Sequence, residues 1–246
     1  MQTLHRPNAS RLVRIAVLQS CYVPWRGFFD LIASVDKFIL YDDVQYSKGS
    51  WRNRNRLKMA DGLRWITVPV SYQFGQPISS VQISQCTISW VGEHLDLLHR
   101  ALGGAPYLPD VLELWREVFD REFTHLSELN AAWIRVLCRY LEVQTQVDWS
   151  SNYALEGKGT DRLMSLLRQV GATSYLSGPS ADAYLDKAQF QDQRIRLLYK
   201  RYIYPPYPQL WGAFVPAVSL LDLIANCGPA AREFIRSTEP DEIIVP

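Results

Sequence analysis

The chain has 246 residues, 48% of them hydrophobic and 21% charged, with a formal net charge of +1. That length can bury a sizeable core, and that composition excludes a disordered chain. The near-neutral balance excludes a global field drawing the protein to DNA or to an anionic membrane.

Residues 1 to about 11 read as a flexible lead-in without the apolar core of a signal peptide, ahead of one α/β domain over 12–246. Arg14 to Leu18 is a continuous apolar run, which suits a strand covered on both faces of a parallel sheet. Pro24, Trp25 and Gly27 punctuate a turn. Phe28 to Val35 then carries Phe28, Leu31, Ile32 and Val35 on one helical stripe, and Lys37 to Tyr41 is a second buried strand ending at Asp42. This βαβ rhythm places loops at the carboxyl ends of both strands, where open α/β sheets hold ligands. Trp65 to Val70 reads as a third strand after the Asp61-Gly62 turn signal, and Ile78 to Ile83 as a weak fourth. From 89 to 141 the spacing turns helical, broken at Gly103-Gly104-Ala105-Pro106, and predicts a helical insertion. The α/β rhythm then returns. Thr160 caps a helix that Gly171 stops, Ser174–Leu176 and Ile195–Leu198 are short strands, and Val218–Asn226 is a last amphipathic helix. The fold class is α/β, a mainly parallel sheet flanked by helices. No stretch reaches the roughly 20 apolar residues of a membrane span. The four cysteines, Cys21, Cys86, Cys138 and Cys227, form no Cys-x-x-Cys pair, which argues against structural zinc and disulfides and for a reduced, cytoplasmic protein.

Chemistry concentrates between Gln19 and Val70. Asp42 and Asp43 follow a buried strand, so either can act as base, amine binder or Mg²⁺ ligand, or merely cap a turn. In Trp51-Arg52-Asn53-Arg54-Asn55-Arg56 the charges alternate with amides, so an extended backbone puts Arg52, Arg54 and Arg56 on one face and Asn53 and Asn55 on the other. Such forks suit the phosphates of a nucleotide sugar or a carrier phosphopantetheine, or else pair with Asp42 or Asp43 at a solvated edge. Neither Gly-x-x-x-x-Gly-Lys nor Gly-x-Gly-x-x-Gly occurs, which disfavours P-loop and dinucleotide readings. Cys21 sits where a nucleophile could be exposed, with His94 the best base, although each also fits a buried structural position. Ser177-Gly178 ends a short strand and could hold an anion, while Tyr204, Tyr207, Gln209 and Trp211 suit a sugar ring.

The order of these segments resembles the WbqC-like family of bacterial O-antigen, polysaccharide and natural-product clusters. The resemblance rests on Gln19-Ser20-Cys21-Tyr22-Val23-Pro24-Trp25-Arg26-Gly27-Phe28-Phe29, Asp42 to Tyr46, Trp51 to Arg56, Thr67 to Val70, Gly171 to Gly178 and Tyr207-Pro208-Gln209. It runs from about residue 14 to about 235, with Ser20 standing where the family carries proline. It implies transfer of a glycine-type aminoacyl or acyl group onto an amino sugar.

The expected protein is therefore a transferase moving an aminoacyl or acyl group from an activated donor, carried on a protein or a tRNA, to an amine. The expected catalytic residues are Asp42, His94 and Cys21. The expected binding residues are Gln19, Tyr22, Trp25, Asp43, Gln45, Asn53, Arg54, Asn55, Arg56, Ser177, Gly178, Tyr207 and Gln209, with no resident metal. On this reading Asp42→Asn removes turnover and leaves the fold intact. The alternatives are a Mg²⁺-dependent nucleotide- or phosphate-using enzyme, and a non-catalytic partner of an acyl or peptidyl carrier protein or of a glycosyltransferase.

Overall fold

Arg14–Leu18 (β1) is the central strand of a six-stranded sheet, as its unbroken apolar run requires. A computed structural model describes residues 12–84 and 89–246; the lead-in over 1–11 and Cys86 lie outside the described residues. From β1 the chain passes through helix α1 (Arg26–Ala33) to β2 (Lys37–Leu40), parallel to β1. It then leaves the sheet. Arg54–Met59 (β3) and Gly62–Thr67 (β4) pair as an antiparallel hairpin, and Val70–Ser71 (β5) pairs with Gln82–Ile83 (β6). The Trp65–Val70 run is thus split, Trp65–Thr67 ending the hairpin and Val70 opening β5, and none of it joins the main sheet. The companion of Trp65–Thr67 is the Arg/Asn segment, brought back by the tight turn at Asp61-Gly62.

Three helices follow: α2 (Trp90–Leu102), capped by the Ser89 hydroxyl, α3 (Leu108–Phe119) and α4 (Leu126–Tyr140). The chain re-enters the sheet at β7 (Gln146–Trp149), crosses through α5 (Gly159–Gln169) to β8 (Ser174–Ser177), and through α6 (Lys187–Asp192) to β9 (Arg196–Tyr199). Gly171, at φ +67°, turns the backbone out of α5 where a side chain would be strained. Thr160 lies inside α5, and its hydroxyl accepts the Asp186 N–H instead of capping the helix. Helices α7 (Leu220–Cys227) and α8 (Ala231–Phe234) precede β10 (Glu242–Val245), an antiparallel edge beside β9.

The sheet order is β10-β9-β8-β1-β2-β7, with every pair parallel except the β10 edge. The chain therefore winds outward from β1 in one direction, then returns to wind from β8 in the other. Side chains alternate across the sheet. Ala16, Phe38, Leu40, Leu176 and Leu198 pack with α1, α4 and α7, whereas Ile15, Val17, Ile39, Tyr175 and Leu197 pack with α5 and α6. This doubly wound arrangement opens a crevice at the carboxyl ends of β1 and β8, where the winding reverses.

Candidate active site at the switch point

Two clefts occupy that crevice, one on each face, and Leu18 at the end of β1 lines both. The first, of about 480 Å³, is walled mainly by Trp25, Phe28, Trp51 and Tyr202, with Cys21, Arg52 and Gly178 at its polar side. The second, of about 850 Å³, presents Gln19, Tyr41, Asp43, Gln45, Lys158, Arg162 and Tyr184. One cleft is thus apolar and aromatic; the other, the polar cleft, sets hydroxyls, amides and charges on an apolar floor of Val17, Val44, Leu163 and Leu185. The Gln19–Cys21 backbone forms the rim between them.

That rim is fixed from several sides. Arg52 Nη1 donates to the carbonyls of Gln19 (2.8 Å) and Ser20 (3.1 Å) and reaches Cys21 Sγ at 3.1 Å. Among the described residues Arg52 Nε and Nη2 make no hydrogen bond, so the guanidinium keeps donors for a ligand. Val23 is held at φ +36°, a costly conformation for a β-branched residue, with its carbonyl bound by Asn55 Nδ2 (2.8 Å) and Ser219 Oγ (2.9 Å). Trp25 folds back over Gly27, where a Cβ would meet the indole at 2.3 Å, and packs against Tyr202 and Tyr204. The Cys21 thiol is pushed up by burial. Arg52 opposes that shift and Asp42 adds to it.

Asp42 does not reach either cleft. Its Oδ1 accepts the Ser20 N–H at 2.8 Å and its Oδ2 accepts the Ser127 hydroxyl, so it ties the β1 loop to α4. Burial raises its pKa, opposed by those hydrogen bonds. Asparagine at this position keeps an acceptor for the Ser20 N–H and a partner for the Ser127 hydroxyl, whereas alanine keeps neither. Asp42→Ala should cost about 1–3 kcal/mol by stranding both donors, and the midpoint of urea unfolding should fall accordingly. An unchanged midpoint would remove the anchoring role.

Asp43 turns the other way, to the Ser150 hydroxyl and Arg162, and faces the polar cleft. The two adjacent carboxylates therefore diverge and share no point at which both could bind one Mg²⁺. Among the described residues no group of three or more His, Cys, Asp or Glu side chains gathers to hold a metal.

His94 is likewise enclosed in α2. The Thr67 N–H donates to its Nε2 at 3.0 Å, which leaves the neutral ring's proton on Nδ1, 3.1 Å from the Tyr22 hydroxyl. Burial lowers its pKa to about 4. Cys21 and His94 do not form a catalytic pair, since both ring nitrogens are spoken for elsewhere. Tyr22 is itself fully buried in the core.

Asn53 and Asn55 staple the hairpin, through the Val68 carbonyl and the Tyr22 and Val23 carbonyls respectively. Arg54 and Arg56 point from the opposite face of β3. The Ser177 side chain is buried, and Gly178 alone of that pair lines the apolar cleft. Tyr207 and Gln209 converge on Asp222 at 2.8 Å each, a buried network beside α7 outside both clefts. Of the expected residues, the structure brings Gln19, Cys21, Trp25, Asp43, Gln45, Asn55 and Gly178 to the two clefts. It adds Tyr41, Trp51, Arg52, Lys158, Arg162, Tyr184 and Tyr202, of which Trp51 and Arg52 carried a sequence signal, their place in the Trp51–Arg56 run.

The WbqC-like protein family model matches residues 19–234. The uncharacterized protein Rv1507c of Mycobacterium tuberculosis is 42% identical over 227 residues, which covers 91% of this chain and 97% of that protein. No solved structure matches. Among the described residues no helix is long and apolar enough to cross a membrane.

Proposed function

The chain belongs to the WbqC-like protein family, and from that premise we propose that it transfers an aminoacyl or acyl group from an activated donor to the amine of an amino sugar or a related biosynthetic intermediate. One observation carries the reading: an apolar and a polar cleft meet at a rigid rim that bears a guanidinium with free donors. The acyl end of the donor occupies the apolar cleft beside Cys21 and Arg52. The acceptor occupies the polar cleft, where Gln19, Tyr41, Gln45 and Tyr184 suit a polyhydroxylated ligand and the Asp43 carboxylate receives the amine proton.

Attack of the amine on the carbonyl forms a C–N bond and places negative charge on the carbonyl oxygen. Arg52 Nε and Nη2 stabilise that charge. Collapse breaks the bond to the donor's thiol or hydroxyl, which leaves with a proton. Transfer is direct, because the Cys21 thiol is raised by burial and has no base at hand.

Incubation with acyl- or aminoacyl-loaded carrier protein and an amino-sugar acceptor should yield the amide, detected by mass spectrometry, with donor thiol released in equal amount. The protein incubated with donor alone should keep its mass. A mass gain that disappears in Cys21→Ala would replace direct transfer by a thioester route. Failure of any amine to accept from any loaded donor would count against transfer itself.

A further inference from the structure

The outer face of the β3–β4 hairpin gathers positive charge that no carboxylate among the described residues pairs with. Arg54 and Arg56 flank Trp65, their guanidinium carbons 4.2 Å and 5.7 Å from its ring, and Arg56 also lies 5.2 Å from the Trp51 ring. The two indoles approach to 5.3 Å between centroids, yet Trp51 and Trp65 remain 42% and 43% exposed. Among the described residues Arg52, Arg54 and Arg56 have no carboxylate within 4.0 Å, and the buried Nε of both Arg54 and Arg56 has no hydrogen-bond partner. Elsewhere arginines do find acids: Arg162 pairs with Asp43, Arg139 with Glu117 and Arg201 with Glu239. Sequence proximity to Asp42 and Asp43 does not rescue the hairpin arginines, since both acids are bound elsewhere. The patch is continuous with the apolar cleft, because Trp51 lines that cleft and Arg56 Nη2 donates to the carbonyl of Ala217, another of its walls.

We propose that this face binds a nucleotide, with phosphate on the Arg54 and Arg56 guanidinium groups and the base stacked on the exposed indoles of Trp51 and Trp65. Two half-buried guanidinium groups without counter-ions match a phosphate's charge, Arg54 with its terminal nitrogens as a fork and Arg56 with the Nη1 that the Ala217 carbonyl leaves free. Exposed indoles interleaved with them supply the stacking surface that a base uses and a bare phosphodiester does not. Where the donor reading of the preceding section holds, the nucleotide is the donor's handle and Trp51 leads its acyl end into the cleft beside Arg52. This favours a base-bearing donor over a pantetheine arm alone.

Calorimetric titration of the full chain with ADP, adenosine and ribose 5-phosphate tests the inference without turnover. ADP should bind at least about tenfold more tightly than either fragment, because base and phosphate are held together. Arg54→Ala and Trp65→Ala should each weaken ADP at least about fivefold, and binding should weaken as salt rises from about 50 to about 300 mM. Circular dichroism checks that each variant folds. Arg64→Ala is the control, since Arg64 pairs with Asp61 and sits opposite Leu57, on the other face of the hairpin. No ADP binding at about 5 mM, or an equal loss in Arg64→Ala, overturns the proposal.

Displacement of ADP by coenzyme A but not by a short RNA ending in C-C-A assigns the nucleotide to a small-molecule donor. The converse assigns it to an RNA-borne donor, and displacement by neither overturns the role as handle. ADP binding to a protein that transfers no acyl group would defeat the transferase reading alone. Transfer from a nucleotide-free donor without ADP binding would defeat this inference alone.

Discussion

Arg52→Ala is expected to lower the rate of acyl transfer about 100-fold, the scale on which single oxyanion donors act. Arg52 Nη1 fixes the carbonyls of Gln19 and Ser20 and touches Cys21 Sγ, so the guanidinium is locked at the rim before any ligand arrives. Its remaining donors need no reorganisation when charge develops on the reacting carbonyl. Arg52→Lys should recover only part of the loss, because an ammonium cannot span the backbone carbonyls and still present a fork to the cleft.

A second readout separates this role from mere support of the loop. Arg52 holds the Cys21 thiol below where burial alone would put it, so Arg52→Ala should move the pH midpoint of iodoacetamide alkylation at Cys21 upward. Arg52→Lys should move it less. Turnover within threefold of wild type in Arg52→Ala would sink the assignment.

The βαβ start of the chain and the helical insertion were legible because they rest on local pattern. β1 and β2 are continuous apolar runs, α1 has its stripe, and Gly171 marks the end of α5. What could not be read was short or depended on remote partners. β7 is four half-exposed residues, α6 buries only Phe190, and β10 gains its strand character from β9, more than 40 positions earlier.

The site divides the same way. The segment from Gln19 to Arg56 does supply much of the rim, but the role of each residue was set by long-range contacts. Ser127 reaches Asp42 across 85 positions, Arg162 reaches Asp43 across 119, and Thr67 and Tyr22 close on His94 from either side. An aspartate and a histidine that read as catalytic from type and spacing, Asp42 and His94, become anchors once those contacts form, while Asp43 keeps its place in a cleft. Nothing local distinguishes an aspartate that faces a serine from one that faces a substrate.

Replacing His94 by glutamine should flatten the acid limb of the stability profile. Burial holds the folded imidazole at a pKa of about 4, against 6.5 for the exposed ring. Between those values the unfolded chain binds a proton that the folded chain does not, so folding stability falls as pH drops through that window. The gap corresponds to about 3 kcal/mol between pH 7 and pH 4. Asp42 contributes with the opposite sign. Its pKa is raised in the fold, so its protonation favours the folded state just above the ordinary carboxylate value, and it partly offsets His94 at the acid end.

The comparison with His94→Gln cancels Asp42 and every other group, since the glutamine oxygen can still accept the Thr67 N–H without titrating. Urea unfolding of both proteins at intervals from pH 7 to pH 4 should therefore give curves that converge toward acid, the wild type losing its advantage. Parallel curves would mean that His94 is protonated in the folded state. The ring would then have to donate from both nitrogens, and the backbone donor of Thr67 that now faces Nε2 would have to turn away from it. A histidine that remains neutral to pH 4 serves the hairpin and the β1 loop as a fixed hydrogen-bond bridge. The proton handling of the reaction then falls to the polar cleft.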